Sequence, residues 1–293
     1  MKAAIIGAGF VGLELARQLL SAGHEAVLMD TCPAPRGLGI PARPCDVLAP
    51  TVTLPPKLDA VFYLAQSPYY REFPEQAGHL FGVNTLGAVK AAEAALKTAC
   101  RFFFYASTGN VYTPSFKPLA EDDPAENPAA YALSKHMAER ALALFGSQFT
   151  VCLGRLFGVF GPGQERMLPA LIRESLLNDE PLRLAPHPEH GPDGGLHVSF
   201  ILNADLGRAL VRLAEKALAG NAVPPILNFG GPESISIERL AGEMGRKMNR
   251  APRFEHLHAA RRFDLVADIS LLRKTLDISF TPFTEAIAAM FQN

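Results

Sequence analysis

Apolar and polar positions form two alternating patterns along the chain as far as Phe160. Short apolar runs predict buried β-strands, and longer stretches with apolar residues three or four positions apart predict helices. The predicted strands lie at 3–9, 25–30, 45–48, 58–66, 101–108 and 149–157. The predicted helices lie at 11–23, 79–99 and 129–146. Strands that alternate with helices of this length pair in parallel through right-handed crossovers, so we predict an α/β fold of the Rossmann type with a doubly wound parallel sheet.

A glycine-rich turn with the spacing GxGxxG follows the first predicted strand and opens the first predicted helix. Such a turn in this context is typical of dinucleotide binding. Gly7 allows the tight turn, Gly9 lets a pyrophosphate approach the backbone, and Gly12 lets the helix pack close to the strand. The helix N-terminus then offers free N–H groups to phosphate. We therefore expect the cofactor to contact Gly7, Gly9, Phe10, Val11 and Gly12.

The second predicted strand ends at Asp30, in register with the glycine-rich turn. A carboxylate at this place accepts hydrogen bonds from the ribose hydroxyls and repels the extra phosphate of NADP, so NAD is the predicted cofactor. Arg36, which lies in a stretch rich in proline and glycine, is interpreted as a surface residue. The alternative is a structural glycine turn followed by a solvated aspartate.

The alternation loosens after Phe160, where one helical run at 167–177 precedes a loop rich in Pro, Gly and His at 185–195. This change predicts a smaller, partly interleaved C-terminal region that binds the substrate. The predicted NAD-binding Rossmann domain comprises 1–165, with 197–220 returning to it, and the predicted substrate-binding region comprises 166–196 and 221–293.

A tyrosine and a lysine stand four residues apart at Tyr131 and Lys135, which places both on one face of a predicted helix. The strand before that helix ends at Ser107 and Thr108. The carboxyl ends of the strands form the ligand-binding edge of such sheets, so a hydroxyl, a phenol and an ammonium are expected to meet there. The spacing alone is common by chance, and the first turn of an ordinary helix is the alternative.

These three groups suit the oxidation of an alcohol. A phenol with its ordinary pKa near 10 is a weak base at neutral pH. A neighbouring ammonium and the positive ring of oxidised NAD favour the phenolate and are expected to lower the pKa of Tyr131. The phenolate can then take a hydroxyl proton while the Thr108 hydroxyl holds the reacting oxygen.

Two motifs carry a resemblance to a known family. "YASTGNVY" at 105–112 and "YALSK" at 131–135 resemble the Ser/Thr and Tyr/Lys motifs of the extended short-chain dehydrogenase/reductase family, which includes nucleotide-sugar epimerases and dehydratases. Further similar segments follow in the family's order over nearly the whole chain, namely "CDVL", "DAVFYLAQ", "GVNTLGAVKAAEAA", "RLFGVFGPGQ" and "LNFGGPESISIERLA". The resemblance implies that Thr108, Tyr131 and Lys135 are the catalytic residues.

The resemblance also implies contacts to the cofactor and to the substrate. Further cofactor contacts are implied for Asp46, Val47, Leu64, Ala65, Asn84, Tyr131 and Lys135. Substrate contacts are implied for Ser107, Thr108, Gly158 and Arg262. Gly158 stands where nucleotide-sugar enzymes often have an asparagine. Either Arg261 or Arg262 is expected to replace the family's diphosphate-binding arginine, and the alternative is a surface salt bridge.

One departure from the family bears on the reaction. Family dehydratases and decarboxylases carry an acid just after the catalytic hydroxyl residue, whereas this chain has Gly109 and Asn110. The missing carboxylate disfavours dehydration and leaves epimerisation or ketone reduction. The resemblance thus implies an NAD-dependent epimerase that transiently oxidises a sugar hydroxyl at C4 of a nucleotide-linked hexose. The alternatives are an NAD(P)H-dependent ketoreductase of a nucleotide-deoxysugar or another carbonyl, and a non-catalytic dinucleotide-binding redox sensor.

Composition and charge bear on whether the protein binds nucleic acid, a membrane, a metal or a second copy of itself. The formal net charge of −1 gives no electrostatic reason to expect nucleic acid or a membrane surface. The apolar runs are too short for a membrane span, and the four scattered cysteines fit a reduced cytoplasmic protein. His187, His190 and His197 lack companion ligands at suitable spacing, so no metal is expected. Family dimers pair through two long helices, here 79–99 and 129–145, and a homodimer is expected.

Overall fold

The computed structural model describes residues 1–32 and 39–291, so Arg36 lies outside the described residues. The strands are β1 (Lys2–Ile6), β2 (Glu25–Asp30), β3 (Ala42–Pro44), β4 (Ala60–Tyr63), β5 (Phe102–Thr108), β6 (Thr150–Leu156), β7 (Gly158–Phe160), β8 (Leu182–Leu184), β9 (His197–Leu202), β10 (Ile226–Phe229), β11 (Ser234–Ser236) and β12 (Phe254–His256).

The helices cover the faces of the sheets. They are α1 (Phe10–Ser21), α2 (Ala77–Phe81), α3 (Ala88–Ala95), α4 (Ala130–Ala143), α5 (Met167–Asn178), α6 (Asn203–Leu218), α7 (Ile237–Met248), α8 (Ser270–Thr275) and α9 (Phe283–Ala289). A π-helical segment, Gly82–Gly87, joins α2 to α3, so the predicted helix at 79–99 is present but is wound less tightly in its middle. None of the helices in the described part of the chain is long and apolar enough to cross a membrane.

A parallel sheet of seven strands forms the centre of the described residues. Its strand order is β10-β6-β5-β4-β1-β2-β3. The order reverses between β1 and β4, and ligands of open α/β sheets bind at the carboxyl edge beside such a reversal. The predicted Rossmann-type fold is confirmed.

The central strands are apolar because helices cover both of their faces. Phe102 and Phe104 of β5 belong to the core shared with α1 and α6. Phe103 and Tyr105 point to the opposite face and belong to the core shared with α3 and α4. This alternation, together with complete burial, explains why β5 is a continuous apolar run rather than an alternating one.

Two strands belong to a different sheet from the one that the predicted domain division implies. Residues 226–229 form β10, which pairs with β6 in the large sheet, although 221–293 was expected to belong to the substrate region. Residues 197–202 form β9, which pairs with β7 and β11 in a smaller sheet, whereas α6 packs on α1. The apolar side of β10 completes the sheet edge beside β6, and this pairing has no local signal in the sequence.

The third strand lies three residues before the predicted 45–48. The ladder from β2 ends when the Cys45 N–H donates to the Asp30 carbonyl at 2.9 Å. The chain then turns, because the Asp46 side chain accepts the Leu48 N–H at 2.8 Å. Val47 is buried by packing beneath the π-helical segment, since a Cβ on Gly87 would approach the Val47 Cβ to 2.9 Å.

Candidate active site

In the glycine-rich turn, a ligand can approach the backbone at Gly9, whereas neighbouring backbone atoms crowd Gly7 and Gly12. Gly7 has a φ of +106°, and a Cβ there would lie 2.6 Å from the Ala65 nitrogen. A Cβ on Gly12 would lie 2.0 Å from the Gly7 carbonyl oxygen. A Cβ on Gly9 would meet nothing within 4 Å, so this backbone is accessible from outside. The turn therefore fits the pyrophosphate of a dinucleotide, with the N-terminus of α1 beside it.

Asp30 lies next to this turn, at the end of β2. Its Oδ2 accepts the Ala8 N–H at 2.7 Å, and its Oδ1 accepts the Cys32 N–H at 3.0 Å. A half-buried carboxylate anchored in this way is placed for ribose hydroxyls at the glycine-rich turn. Leu64 and Ala65 border the same turn, because they follow β4 and approach Gly7.

Asn84 connects three parts of the site through its own hydrogen bonds. Its Oδ1 accepts the Ser67 N–H at 3.0 Å, and its Nδ2 donates to Ser134 Oγ at 2.9 Å. Its carbonyl accepts the Tyr105 hydroxyl at 2.8 Å. The buried amide thus joins the segment after β4, the π-helical segment and α4. These contacts indicate a positioning role, and a direct contact with the cofactor stays a prediction.

Thr108 and Tyr131 lie together at the carboxyl edge of the sheet. The Thr108 Oγ1 accepts the backbone N–H of Asn110 at 3.2 Å and the Asn110 Nδ2 at 3.0 Å. With its lone pairs engaged, this hydroxyl has its own hydrogen free to donate into the site. The Tyr131 hydroxyl donates to Gln66 Oε1 at 2.9 Å. Gln66 was not foreseen from the sequence.

The pKa of Tyr131 moves in the direction opposite to the one expected from Lys135. Burial raises the pKa of Tyr131 to about 12, and the Thr108 hydroxyl offsets part of that rise. In the protein alone, the cost of removing a phenolate from water is the largest influence on this pKa, and the hydrogen bond to Thr108 does not fully offset it. Tyr131 is a neutral phenol in this state, and a further positive charge is needed to make it a base near neutral pH.

Lys135 lies deeper in the protein than Tyr131. Its Nζ donates to the Ala106 carbonyl at 2.8 Å and lies 5.0 Å from the centre of the Tyr105 ring. Burial lowers the pKa of Lys135 to about 7, and the negative charge of Glu139 works against that fall. A carbonyl and a ring face are weak partners for a buried ammonium, so its charge is sensitive to what lies nearby.

Ser107, which was expected to touch the substrate, has a different partner. Its hydroxyl donates to Glu139 Oε1 inside the protein, and the serine is buried. The same carboxylate accepts hydrogen bonds from Arg155, at 3.1 Å from Nε and at 2.8 Å from Nη2. In this arrangement Ser107 has no proton left for a ligand, and Thr108 is the hydroxyl that faces the site. A signal for Glu139 existed, since it lies one helical turn beyond Lys135.

At Gly109 and Gly158, a side chain would collide with neighbouring apolar residues. A Cβ on Gly109 would lie 2.8 Å from the Phe157 ring, so a residue with a side chain does not fit there. A Cβ on Gly158 would lie 2.7 Å from both Phe200 and Val198. The family's asparagine is therefore missing at 158 because the small sheet packs closely at that point. A contact of Gly158 with substrate is restricted to its backbone.

The two neighbouring arginines occupy opposite environments. Arg262, the predicted substrate residue, is exposed. Arg261 is almost buried and binds Asp193 through two contacts of 2.6 Å and Asp264 through contacts of 2.8 and 3.0 Å. It also donates to the Ala185 carbonyl at 3.4 Å, so each of its five N–H groups has a partner. The predicted contact of Arg262 with the substrate stays a prediction.

The histidines of the predicted loop pack against aromatic rings. His187 stacks on His190 and lies tilted against Phe116, with ring centres 4.3 Å apart in each pair. Its Nδ1 accepts backbone N–H groups of the following turn. Over residues 1–32 and 39–291, the side chains of His, Cys, Asp and Glu form no group of three that could hold a metal ion.

The fold and this edge of the sheet define a dinucleotide-dependent oxidoreductase, in which a phenol, a hydroxyl and an ammonium lie beside the cofactor-binding turn. The model of the NAD dependent epimerase/dehydratase family matches residues 3–230. The chain belongs to this family and is an enzyme that uses NAD. The resemblance seen in the sequence motifs is thereby confirmed.

Similar proteins catalyse different reactions on related compounds. The UDP-N-acetyl-alpha-D-glucosaminuronate decarboxylase of Bacillus cytotoxicus is 25% identical over 272 residues, which cover 86% of this chain and 81% of that protein. The UDP-glucuronic acid 4-epimerase of Bacillus cereus, in complex with UDP-glucuronic acid and NAD, has a TM-score of 0.82 and 21% identity, covering 99% of this chain and 98% of that one. TunA, an NAD-dependent NDP-hexosamine 5,6-dehydratase, has a TM-score of 0.80 and 21% identity, covering 99% and 96%.

Proposed function

We propose that the chain is an NAD-dependent epimerase that inverts a carbon of a nucleotide-linked hexose, at C4, through transient oxidation of its hydroxyl. The observation that carries the proposal is the meeting of Thr108, Tyr131 and Lys135 at the carboxyl edge beside the glycine-rich turn. A redox-sensing module that only binds a dinucleotide has no use for this set of side chains.

Each of the three residues has a role that follows from its contacts. Thr108, whose lone pairs are occupied by Asn110, donates its hydrogen to the reacting oxygen and orients it. Tyr131 takes the proton from that oxygen and later returns it. Lys135 contributes positive charge behind the phenol. A bound NAD would supply the hydride acceptor and donor for this chemistry, and the positive charge of its ring would favour the phenolate of Tyr131.

Gln66 holds the phenolic proton until a substrate arrives. Its Oε1 accepts the Tyr131 hydroxyl, which favours the neutral phenol. A substrate hydroxyl that enters beside Thr108 takes over this hydrogen bond, and the phenol is then in contact with the group that it deprotonates. The keto sugar must turn in the pocket before its hydrogen returns to the opposite face, and that turning distinguishes epimerisation from simple reduction.

The packing of the Phe157 ring against Gly109, the residue after Thr108, favours epimerisation over dehydration. Elimination needs an acid beside the catalytic hydroxyl, and the Phe157 ring leaves no space for a side chain at Gly109. The next residue, Asn110, is an amide that is already bound to Thr108. The second candidate is an NAD(P)H-dependent ketoreductase, which uses the same three residues and differs by consuming reduced cofactor.

The experiment begins with the ligands that the purified protein carries. Denaturing release followed by mass spectrometry identifies the dinucleotide and any sugar nucleotide that co-purify. The NAD-loaded enzyme is then incubated with UDP-, dTDP-, GDP- and CDP-hexoses, and products are analysed by NMR for inversion at C4. We expect inversion without net change in NAD, and no inversion by the Tyr131→Phe variant. Stoichiometric NADH consumption would instead establish the reductase, and an unaltered Tyr131→Phe variant would remove both candidates.

We also propose a homodimer that pairs through α3, α4 and the π-helical segment. Leu133, Met137 and Leu144 form an exposed apolar stripe along the α4 side of the molecule. Leu86 and Leu96 are exposed on the neighbouring helical segment. Apolar side chains in such a row are typical of a helical interface. Sedimentation velocity tests this, because Met137→Glu is expected to yield monomers at concentrations where the parent protein is dimeric.

A further inference from the structure

One face of α4 carries a row of ionisable groups in the order phenol, ammonium and carboxylate. They belong to Tyr131, Lys135 and Glu139, which are spaced four residues apart and therefore lie one above another. Lys135 is 2% exposed and Glu139 is 3% exposed, so both charges are removed from water. The roles proposed above end at Lys135, and the proposed mechanism gives Glu139 no task.

The Glu139 carboxylate is held in place from two other strands. Arg155 of β6 binds both of its oxygens, and Ser107 of β5 donates its hydroxyl to Oε1. Arg155 is itself fixed, because Nη1 donates to the Glu121 carbonyl at 3.3 Å and the guanidinium lies 4.5 Å from the centre of the Tyr112 ring. The carboxylate therefore has one position relative to α4, set by three elements of the fold.

Stability alone is a weak reason for this arrangement. A buried ion pair costs desolvation energy that its attraction barely repays, and apolar residues of similar volume often stabilise a protein as well or better. A pair placed one turn behind a buried catalytic ammonium has a further effect. It sets the electrostatic potential at Lys135, whose direct partners are an uncharged carbonyl and a ring face.

The groups around Lys135 show where its counter-charge comes from. From α4 it faces Tyr131 and Glu139, and from β5 it faces Tyr105, which is buried and whose pKa burial raises well above its ordinary value. The π-helical segment brings the neutral Asn84 to α4, and β6 brings the positive Arg155. Within this described environment, negative charge comes from Glu139.

We propose that Glu139 is a positioning residue of the active site, whose carboxylate, fixed by Arg155 and Ser107, is the counter-charge that keeps the buried Lys135 protonated near neutral pH. Its effect on turnover rests on the proposed function. The protonation state of Lys135 itself can be measured in the protein without any substrate.

The direction of the effect follows from the charges. Burial lowers the pKa of Lys135 and Glu139 raises it. Without Glu139 the fall is unopposed, and the lysine loses its proton at a lower pH. At neutral pH the ammonium is then replaced by an amine, and Tyr131 loses the charge that favours its phenolate.

The direct test follows the Lys135 Nζ resonance by NMR in protein labelled with 15N-lysine, titrated between pH 5 and 10. The resonance is identified by its absence in the Lys135→Met variant. In Glu139→Gln we expect the titration midpoint to fall by about one pH unit or more, a tenfold weaker proton affinity. Glu139→Asp, which keeps the charge, and Glu93→Gln, which alters an exposed glutamate on α3, are expected to shift it far less.

A second variant protects the test against a folding defect. Glu139→Gln leaves the buried Arg155 unpaired, whereas Glu139→Leu combined with Arg155→Met replaces the pair by apolar groups. The midpoint is expected to fall in this double variant too, because Glu139 shares a face of α4 with Lys135, whereas Arg155 reaches the carboxylate from β6. A midpoint at or above the parent value in either folded variant would overturn the proposal.

The consequence for turnover is measured separately, with the substrate found for the proposed function. We expect the alkaline limb of the pH profile of kcat/KM to move to lower pH in Glu139→Gln and to stay in place in Glu93→Gln. A purely structural glutamate would lower activity at every pH without moving that limb. If the proposed function fails, no substrate is turned over by any variant, and the NMR result still decides the role of Glu139.

Discussion

Lys135 and Arg261 are both nearly buried cations, and the protein treats them in opposite ways. Lys135 donates to an uncharged carbonyl, and burial lowers its pKa to about 7. Each N–H group of Arg261 donates a hydrogen bond, and four of these bonds reach the carboxylates of Asp193 and Asp264. Burial works to lower the pKa of Arg261, but these carboxylates raise it above its ordinary value. The charge of Lys135 depends on its surroundings, which suits the catalytic role proposed for it. Arg261 stays protonated and is held in one position by its carboxylate partners.

The same contrast separates the cofactor side from the substrate side of the molecule. At the glycine-rich turn an anion can approach the backbone beside Gly9 without displacing anything. At Arg261 an anion must first displace Asp193, which belongs to the loop rich in Pro, Gly and His. Four predictions test this difference between Lys135 and Arg261.

The largest effect is expected from Lys135→Met. Removing the charge behind Tyr131 should lower kcat by about 100-fold to 10,000-fold, the range typical for losing general acid–base assistance. The free energy of unfolding at pH 7 should not fall, because a poorly partnered charge is removed from the interior. Steady-state kinetics and urea unfolding measure the two quantities, with the exposed Lys97→Met as control. A large loss of stability would show that Lys135 is also a structural cation.

Arg261→Met should have the reverse profile in stability. It leaves Asp193 and Asp264 without their cation, and we expect the free energy of unfolding to fall by about 3 kcal/mol. Arg262→Met is the matched control, since the adjacent side chain is exposed and its loss should cost less than about 0.5 kcal/mol. Equal effects of the two substitutions in urea unfolding would contradict the locked arrangement of Arg261.

The stability of the parent protein should depend on pH through Lys135. Its pKa is about 7 in the folded state and 10.5 as the ordinary value, so the unfolded state binds more protons between these limits. Stability from this group therefore rises with pH across that window, by up to about 1 kcal/mol per pH unit. Urea unfolding at pH 7, 8 and 9 measures it as the difference between parent and Lys135→Met, which cancels the titration of other groups. Parallel curves for the two proteins would exclude a depressed lysine pKa.

The smallest effect is expected from Asp193→Asn. Removing one of the two charges on Arg261 should strengthen the binding of inorganic pyrophosphate to the NAD-saturated protein by about tenfold, equivalent to about 1.4 kcal/mol. Asp179→Asn, which alters an exposed aspartate paired with Arg253, is the control. Isothermal titration calorimetry gives both affinities. If Asp193→Asn binds pyrophosphate no better than Asp179→Asn does, Asp193 does not compete with anions at Arg261.

Several parts of the site were readable from the chain because they depend on short spacings. GxGxxG predicts the turn at Gly7 and Gly12, where φ and close contacts exclude a Cβ. The four-residue interval places Tyr131 and Lys135 on one face of α4. The end of an apolar run placed Thr108 at the carboxyl edge of the sheet. In each case the geometry follows from one element of secondary structure and its period.

Other parts of the site join residues that are far apart in sequence. Ser107 and Thr108 are adjacent, yet alternation along β5 sends one hydroxyl into the protein and the other to the site. Gln66 reaches Tyr131 across 65 positions, and Arg155 reaches Glu139 from another strand. The expected fall in the pKa of Tyr131 also depends on the positive ring of NAD and stays a prediction. In the protein alone burial raises this pKa, and the extent of burial has no local signal in the sequence.

Hydrophobic period and local spacing in the sequence specify the Rossmann-type sheet, the dinucleotide-binding turn and the phenol–lysine pair, and the sequence motifs carry the resemblance to the family. The tertiary structure alone decided which arginine is buried, which serine or threonine faces the site, why Gly109 and Gly158 carry no side chain, and what charge surrounds Lys135. Those outcomes depend on which distant side chains share a small volume away from water, where each polar group must find a partner and each ring excludes its neighbours.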